Sequence, residues 1–345
     1  MPGTPRTGRP PARGRPHHLR AATMHDVAEH VGVSHQTVSR VLNGNDAVSA
    51  RTRALVLQAI QDLGYRRNSA ARALVTRRSQ VLGVVSFDTT LYGPASTLFG
   101  IEQAARAAGY FVSVASVRAT TGGTVRAAVD RLTDQNVDGV VVIAPLSTGE
   151  PLSVLPAGLP AVVVDGRATG LASVRVDQEE GGRLATRHLL EQGAGTVWHV
   201  AGPADWFDAR GRLAGWRRAL HDAGAAVHRP LRGSWSACSG YEAGRRLARR
   251  RGVEAVFAGN DQMALGLLRA FHEAGIRVPQ DVLVAGFDDV PEAAYYTPPL
   301  TTVRQDFAAV GRRSIELLLR QVGGRRAREA VVRPELIVRL SSGQL

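Results

Sequence analysis

The chain has 345 residues, enough for two or three domains and for a core that needs no disulfides to hold it together. It contains one cysteine, which excludes an intrachain disulfide and fits a reducing compartment. The formal net charge is +13, and residues 1–80 carry 13 arginines against 4 acids. We therefore expect this part of the chain to bind a polyanion, and nucleic acid is the leading candidate.

The first segment, residues 1–22, is rich in Arg, Pro and Gly and has no hydrophobic periodicity, so it is predicted to be a disordered basic tail. It lacks the apolar stretch of a secretory signal. The chain also has no run of 18 apolar residues that would suggest a transmembrane helix. These patterns predict a cytoplasmic protein that makes no membrane contact.

Residues 23–67 are predicted to form three short helices. Thr23, Ser34 and Ser49 are suitable N-cap residues, and Gly32 is suited to end the first helix. The run TMHDVAEHVGVSHQTVSRVLN fits a helix-turn-helix, in which the second helix enters the major groove of DNA. A small three-helix bundle without a DNA site is the structural alternative.

The second helix of this pattern carries the candidate base-reading residues. His35, Gln36 and Arg40 are predicted to lie on its exposed face, where Gln can pair with adenine and Arg with guanine. Short polar side chains around them are candidates for further DNA contacts, chiefly to phosphates. These are Thr23, Ser34, Thr37, Ser39 and Asn43.

From Val81 onward, apolar runs of strand length alternate with amphipathic helical stretches, which predicts parallel α/β sheets. The number of such units favours two similar lobes. The predicted strands lie in VLGVVSFD, FVSVASV, DGVVVIAP, PAVVVD, TVWHVAG, AVFAGND and VLVAGFDD. The chain has no CxxC, HExxH, GxGxxG, phosphate-loop or GxSxG motif, so neither an enzyme, a metal site nor a cofactor is expected.

Polar residues at the ends of these strands are candidates for a ligand site, because ligands of α/β folds bind beyond the carboxyl ends of strands. Asp165, Asn260 and Asp288 lie at such ends, and Arg212 lies near the start of a predicted helix. Carboxylate, amide and guanidinium groups together can bind the hydroxyls of a sugar, and Trp235 can cover an apolar sugar face. For Asp261 and Asp289, a helix N-cap is the competing interpretation.

Several segments of the sequence resemble those of a known family. TMHDVAEHVGVSHQTVSRVLN, followed by VSARTRALVLQAIQDLGYRRNSAARAL, is similar to the headpiece and hinge of the lac-repressor family of bacterial transcription regulators. RLAGW, WSACSG, NDQMALG, GFDD and YYTPPLTTVRQDF continue the resemblance, which covers about residues 23–340. It implies an N-terminal all-α helix-turn-helix headpiece with a hinge helix, followed by an α/β two-lobed effector domain like that of periplasmic binding proteins.

The resemblance also implies boundaries within the chain. The headpiece would span residues 23–67, the hinge helix and linker 68–79, and the effector-binding and dimerisation domain 80–345. Within that domain, the N-lobe would comprise about residues 80–177 and 307–335, and the C-lobe about 178–306.

Residue roles follow from the same resemblance. In the hinge segment NSAARAL, Asn68, Ala71 and Leu74 match DNA-contacting positions, and Leu74 matches a leucine that wedges into the minor groove. Arg212, Asn260 and Asp288 match the main sugar contacts. Supporting positions are matched by Asp165, Trp235, Gln262 and Phe307, and an apolar wall by Leu91, Pro94 and Thr97.

The resemblance has departures that bear on specificity. His35 stands where the matched pattern has Tyr, Ile143 where it has Asn, and Asp208 where it has Ser. We predict a sequence-specific repressor that binds pseudo-palindromic double-stranded DNA as a homodimer and responds allosterically to a small sugar such as a galactoside. A global catabolite-type regulator with a protein corepressor is the alternative, followed by a sugar receptor without DNA function.

Overall fold

The computed structural model describes residues 22–45, 47–65, 78–117, 122–145, 155–156, 158–166 and 170–343. The chain divides into two compact units, residues 1–77 and 78–345. The predicted disordered tail, apart from its last residue, lies outside the described residues. So does the predicted hinge helix with Asn68, Ala71 and Leu74.

The described residues of the first unit form three helices, α1 (Met24–Val31), α2 (His35–Leu42) and α3 (Ala50–Asp62). Each begins at a predicted N-cap. Thr23 and Asp26 form a capping box, and the hydroxyls of Ser34 and Ser49 each accept a hydrogen bond from the backbone N–H three residues on. All three predicted N-caps are therefore confirmed.

A small apolar core holds the three helices together. It consists of Val27, Ala28, Val38, Val41, Val56, Ala59 and Tyr65. The helical spacing of Leu55, Val56, Ala59, Ile60 and Leu63 predicts that all five face the core from α3, but the side chain of Leu55 is 52% exposed, so that expectation is wrong for Leu55. Leu55 precedes the buried Val56 by one residue and therefore points about 100° away from it around the helix.

The second unit is an α/β structure. Its elements in chain order are β1 (Val81–Phe87), α4 (Tyr92–Ala107), β2 (Phe111–Val117), α5 (Gly122–Asp134), β3 (Gly139–Ile143), β4 (Ala161–Val164), β5 (Ala172–Val176), α6 (Gln178–Glu191), β6 (Trp198–Ala201), α7 (Phe207–Asp222), β7 (Leu231–Arg232), α8 (Ala237–Ala248), β8 (Ala255–Ala258), α9 (Asp261–Glu273), β9 (Leu283–Ala285), a short 3₁₀ helix (Pro291–Tyr295), β10 (Thr302–Arg304), α10 (Phe307–Val322), β11 (Ala330–Val332) and β12 (Glu335–Ile337).

The described strands form two parallel sheets and one antiparallel ribbon. The first sheet has the order β11-β5-β4-β3-β1-β2, the second has the order β7-β6-β8-β9, and β10 pairs with β12. The strands at the centre of both sheets are continuous buried apolar runs, as expected for sheets with helices on both faces. The predicted two-lobed α/β architecture is confirmed.

Within the described residues, the chain passes between the two lobes three times. It crosses from β5 to α6, returns between β10 and α10, and crosses again between β11 and β12. Because the carboxyl ends of parallel strands from both sheets face these crossings, side chains that follow the strands meet in one cleft.

Glycines bring the helices of the C-lobe into backbone contact. A Cβ atom on Gly215 of α7 would collide with the carbonyl oxygen of Glu179 in α6, and one on Gly182 would collide with the backbone of Arg212. This close approach places the start of α6 beside Arg212 of α7, at the crossing that leaves β5. None of the described helices is long and apolar enough to cross a membrane.

Candidate functional site

The predicted base-reading residues share one exposed face of α2. His35, Gln36 and Arg40 are exposed, while Val38 and Val41 on the opposite side pack into the core of the first unit. This geometry matches a recognition helix, which needs an apolar side for its own domain and polar side chains for base edges.

The polar residues predicted to contact DNA also organise the helix ends. The Ser34 hydroxyl lies 2.9 Å from that of Thr37, and the Asn43 amide donates to the Ser39 hydroxyl at 3.4 Å. The Thr23 hydroxyl donates to the Asp26 carboxylate at 2.8 Å within the capping box. These side chains therefore stabilise the first turn of α1 and both ends of α2.

A cavity of about 100 Å³ lies in the cleft of the second unit. Its lining includes seven predicted effector residues, which are Leu91, Pro94, Arg212, Trp235, Asn260, Gln262 and Asp288. Six residues not assigned to the effector site from the sequence complete it: Thr90, Tyr92, Gly93, Trp206, Asp208 and Gln305.

Three further predicted effector residues lie outside this cavity. Thr97 is fully buried inside the N-lobe. Asp165 lines a neighbouring groove of about 830 Å³, which Asp208 also lines. Phe307 packs edge-on against Tyr92, with 5.8 Å between the ring centroids, and so meets a residue of the cavity wall.

Four buried side chains form a closed ring of polar contacts, and three of them line the cavity. Arg212 Nε donates to Gln178 Oε1 (2.9 Å), Gln178 Nε2 donates to Gln305 Oε1 (2.8 Å), and Gln305 Nε2 donates to Asp288 Oδ1 (2.7 Å). Arg212 Nη2 closes the ring at 3.4 Å from Asp288 Oδ1. We call this set the polar ring. Arg212, Asp288 and Gln305 of this ring line the cavity. The ring also reaches two crossings between the lobes, because Gln178 begins α6 and Gln305 precedes α10.

The Arg212 guanidinium is fixed on every side. Its Cζ atom lies 3.8 Å from the centroid of the Phe287 ring and 5.3 Å from that of Trp235. Its Nη1 donates to the carbonyl oxygen of Gly259, and its side chain is 4% exposed. Such cation–π contacts and hydrogen bonds hold a ligand-binding donor in one orientation before the ligand arrives.

Three carboxylates of the cleft are hard to ionise because they are buried. Burial raises the pKa of Asp288 to about 6, although Arg212 acts in the opposite direction. Burial also raises the pKa of Asp208, again opposed by Arg212. The pKa of Asp165 lies well above its ordinary value through burial and through the charge of Asp208. These groups favour ligands that donate hydrogen bonds to them.

Backbone strain marks the same residues. Asp165, Trp235 and Asp288 have φ angles of 58°, 67° and 108°, in the left-handed region that residues with side chains rarely adopt. Such conformations cost about 1–3 kcal/mol each and concentrate at functional sites. The Trp235 indole lies where a side chain on Gly202 would be, and its buried Nε1 has no acceptor among the described residues.

Asn260 serves the fold and the cavity together. Its Oδ1 caps α9 by accepting from Met263 N (2.9 Å), and its Nδ2 donates to Trp235 O (3.0 Å).

The N-cap interpretation of Asp261 and Asp289 is wrong. Asp261 accepts from Thr302 Oγ1 (2.6 Å) and Val290 N (2.9 Å), whereas Asp289 forms ion pairs, both 2.7 Å long, with Arg304 and Arg339.

The site residues that sequence reasoning missed carry only weak sequence signals. Gln178 stands two residues after β5 and begins α6, in VRVDQEE, and Gln305 directly follows β10 and stands two residues before α10, in TVRQDF. Trp206 stands directly before α7.

Across the described residues, no group of three or more His, Cys, Asp or Glu side chains is arranged to hold a metal ion.

A three-helix unit with a helix-turn-helix, followed by a two-lobed α/β unit with a polar cleft, defines a DNA-binding regulator that carries a ligand-binding domain. Residues 23–68 match "Bacterial regulatory proteins, lacI family", and residues 186–342 match "Periplasmic binding protein-like domain". The chain is 35% identical to the lactose operon repressor of Escherichia coli K12 over 325 residues, covering 93% of this chain and 90% of that repressor.

Two solved structures agree with this comparison. One is the lac repressor dimer bound to operator and the anti-inducer ONPF, with a TM-score of 0.85, 34% identity and coverage of 94% of this chain and 99% of that chain. The other is a complex of the transcriptional regulator CelR with cellobiose, with a TM-score of 0.69, 34% identity and coverage of 93% and 99%. This chain belongs to the lacI family of bacterial regulatory proteins, and it is a transcription regulator rather than an enzyme.

Proposed function

We propose that this regulator is a repressor that binds a pseudo-palindromic operator as a homodimer and releases it when a small sugar, such as a galactoside, binds in the cleft. The observation that carries the proposal is the convergence of Arg212, Trp235, Asn260 and Asp288 on one cavity. The two charged members of this set also belong to the polar ring, which reaches both lobes.

The chemistry of the cavity suits a sugar. Arg212 donates, Asp288 accepts and Asn260 can do both, which matches ring hydroxyls that donate and accept. Trp235 and the wall residues Leu91 and Pro94 offer apolar surface for the C–H face of a pyranose. The CelR complex shows a sugar, cellobiose, on a structural relative, which supports the sugar class.

A continuous set of contacts supports control from the cleft. At the amino end of β3, the Asp138 carboxylate accepts from the backbone N–H groups of Ser79 (2.7 Å) and Gln80 (3.1 Å), where the chain enters the second unit. Beyond the carboxyl end of β3, Phe207 N donates to Pro145 O (2.9 Å) and anchors α7, which carries Arg212. One strand thus connects the entry of the chain with the helix that holds the ligand.

A homodimer follows from the size of the recognition element. One α2 helix offers three base-reading side chains, which suffice for one half-site. Two copies about one helical turn apart, roughly 34 Å, read a two-fold symmetric operator. The lac repressor dimer on its operator supports this arrangement.

The test is a fluorescence-anisotropy titration of the full chain on operators selected from a random palindromic library, with and without lactose, allolactose, galactose and cellobiose. We expect tight binding to one sequence family and weakening by one of these sugars. Operator DNA should weaken the binding of that sugar by the same factor, because coupling between two sites is reciprocal. If the chain binds all DNA sequences with equal affinity, the headpiece assignment is wrong. If none of the sugars changes its affinity for the operator, the proposed sugar effector is wrong.

The matched variants separate the two sites. Asp288→Ala should abolish the sugar response and keep operator binding, whereas Arg40→Ala should weaken operator binding and keep sugar binding. The reverse pattern, or loss of both activities in either variant, would contradict the assignment of these two residues.

A further inference from the structure

One corner of the ligand cavity is built from aromatic side chains. Trp206 and Trp235 both line the cavity and meet edge-to-face, with 5.6 Å between their ring centroids and 72° between their planes. Phe87, the last residue of β1, packs edge-on against Trp206 with 5.9 Å between the centroids. The three residues are buried, so packing fixes this corner before a ligand binds. We call Trp206 and Trp235 the indole corner.

The charged side chains of the cavity are linked to one another instead. Arg212, Asp288 and Gln305 belong to the polar ring. Asp208 stands one helical turn before Arg212 on α7 and forms an ion pair of 3.7 Å with it. A ligand of this cavity therefore needs hydroxyls toward the polar ring and apolar surface toward the indole corner.

The indole corner offers hydrogen-bond donors and no side-chain acceptor, because an indole N–H can only donate. The buried Trp235 Nε1 has no acceptor among the described residues, which indicates a place for an acceptor atom of the ligand. A ligand hydroxyl buried here could accept this bond, but neither indole would accept its own proton, and a buried donor without a partner is unfavourable. An ether oxygen accepts a hydrogen bond and has no proton to place.

The size of the cavity restricts the ligand further. Its volume is about 100 Å³, whereas pockets for drug-sized ligands measure roughly 300–1,000 Å³. This favours a single sugar ring with few substituents. In a pyranose, the ring oxygen is an ether and stands next to the carbon that carries the C5 substituent. A hydroxymethyl group at C5 brings a hydroxyl to this edge of the sugar, whereas a methyl group keeps the edge apolar.

We propose that the effector is a 6-deoxy sugar, whose ring oxygen accepts from Trp235 Nε1 and whose C5 methyl group packs in the indole corner. The ring hydroxyls then meet Arg212 and Asp288, which donate and accept. This inference rests on the sugar effector of the proposed function and names its chemical class.

The experiment compares two series of sugars that differ only in the C5 substituent. D-galactose, D-fucose and L-arabinose share one pyranose ring configuration and carry a hydroxymethyl group, a methyl group and a hydrogen at C5. D-glucose, D-quinovose and D-xylose repeat the series in a second configuration. Binding to the full chain is measured by titration calorimetry. In one series we expect the 6-deoxy sugar to bind at least about tenfold more tightly than its hydroxymethyl parent. It should also bind about fourfold more tightly than the pentose, through burial of the methyl group.

Three variants assign this preference to its residues. Trp206→Gln places an amide acceptor in the indole corner, so the 6-deoxy sugar and its parent should bind within about twofold of one another. Trp235→Phe keeps an aromatic ring and removes Nε1, so all three sugars of the series should bind at least about fivefold more weakly. Val227→Gln is the control, because Val227 is 53% exposed and lies outside the cavity lining, and it should keep the wild-type affinities.

Retained operator binding and a native circular dichroism spectrum show that a variant is folded. If Trp206→Gln or Trp235→Phe fails to fold, the comparison of the sugars on the wild-type chain still decides the proposal, since it needs no variant.

The outcomes separate the two proposals. The 6-deoxy inference is overturned, and the sugar effector stands, if a hydroxymethyl parent or a pentose binds as tightly as the 6-deoxy sugar of its series. The same holds if folded Trp206→Gln keeps the preference, if folded Trp235→Phe binds like the wild type, or if Val227→Gln loses the preference as well. If none of the six sugars binds but a sugar of the operator titration changes DNA affinity, only the 6-deoxy inference is overturned. If no sugar of either experiment has an effect, both proposals are overturned.

Discussion

Asp288 should make the unliganded effector domain less stable at neutral pH than in mild acid. Its carboxylate is 7% exposed, and burial raises its pKa from the ordinary 3.8 to about 6 even with Arg212 close by. A carboxyl whose pKa is raised by folding binds its proton more tightly in the folded state. Its contribution to stability is therefore full below pH 3.8 and falls as the pH rises to about 6.

The size of this effect follows from the two pKa values. A tenfold change in proton affinity corresponds to 1.36 kcal/mol, so the interval from 3.8 to about 6 is worth about 3 kcal/mol of folding free energy. Asp288→Asn replaces the carboxyl by a neutral group of the same shape, which can still accept from Gln305. We therefore expect the variant to be about 3 kcal/mol more stable than the wild type at pH 7.5 and equally stable near pH 4.

The assay is urea unfolding of both proteins from pH 4 to pH 7.5, and the quantity compared is the difference in unfolding free energy. A difference is needed because His199 acts in the opposite direction. Burial lowers its pKa to about 3, so its contribution is lost as the pH falls below 6.5. His199 is present in both proteins, and its effect cancels.

Asp281→Asn is the matched control. The hydrogen bonds of Asp281 with exposed Arg277 lower its pKa to about 2, so this variant should be slightly destabilised at neutral pH. The reasoning is refuted if Asp288→Asn is less stable than the wild type at pH 7.5, or if its advantage persists unchanged at pH 4. The stabilised variant should also lose the effector response, since the destabilising charge is the sugar acceptor.

Three further predictions concern single side chains. Arg40→Ala should cost about 1–3 kcal/mol of operator binding and relax the preference at one base pair, measured with operators carrying each base there; uniform weakening would assign Arg40 to a phosphate. Ser34→Ala should lower headpiece stability by about 1 kcal/mol in thermal unfolding through loss of the α2 cap, and an unchanged melting curve would contradict that role. Gln305→Ala should destabilise the effector domain by about 2–4 kcal/mol in urea, because it breaks two buried bonds, one of them to a carboxylate. Exposed Gln103→Ala should stay within about 0.5 kcal/mol, and an equal effect of the two variants would show that the polar ring adds nothing.

The fold was largely predictable because its central strands are buried on both faces. GVVVI of β3 and AVVV of β4 are continuous apolar runs, which no solvent-facing position interrupts. Five of the described strands were missed. β5 (ASVRV) is buried except at Arg175, which interrupts its apolar run, and the other four are very short. β7 is only Leu231–Arg232, and β10 to β12 have three residues each, so their pairing depends on neighbours distant in sequence rather than on local pattern.

The site residues could be predicted where a polar residue stands at the carboxyl end of a strand, as Asn260 and Asp288 do. It was not predictable where two helices or two crossings bring side chains together. Gln178 and Gln305 are 127 residues apart and meet only because the chain crosses between the lobes at both positions. Thr97 follows Pro94 by one helical turn, but that turn carries it into the N-lobe and away from the cavity wall.

The polar ring gives the proposed regulation a physical basis that needs no rearrangement of either core. A hydroxyl that donates to Asp288 competes with Gln305 for the same carboxylate, and one that accepts from Arg212 competes with the ion pair that closes the ring. Gln178 and Gln305 stand at two crossings between the lobes, so every change in ring contacts alters how the lobes are held. Coupling between effector and operator is typically about 1–3 kcal/mol. One or two such buried hydrogen bonds are worth as much. Substitutions of the two glutamines should therefore change how strongly the sugar affects operator binding, even though neither residue is required to touch DNA.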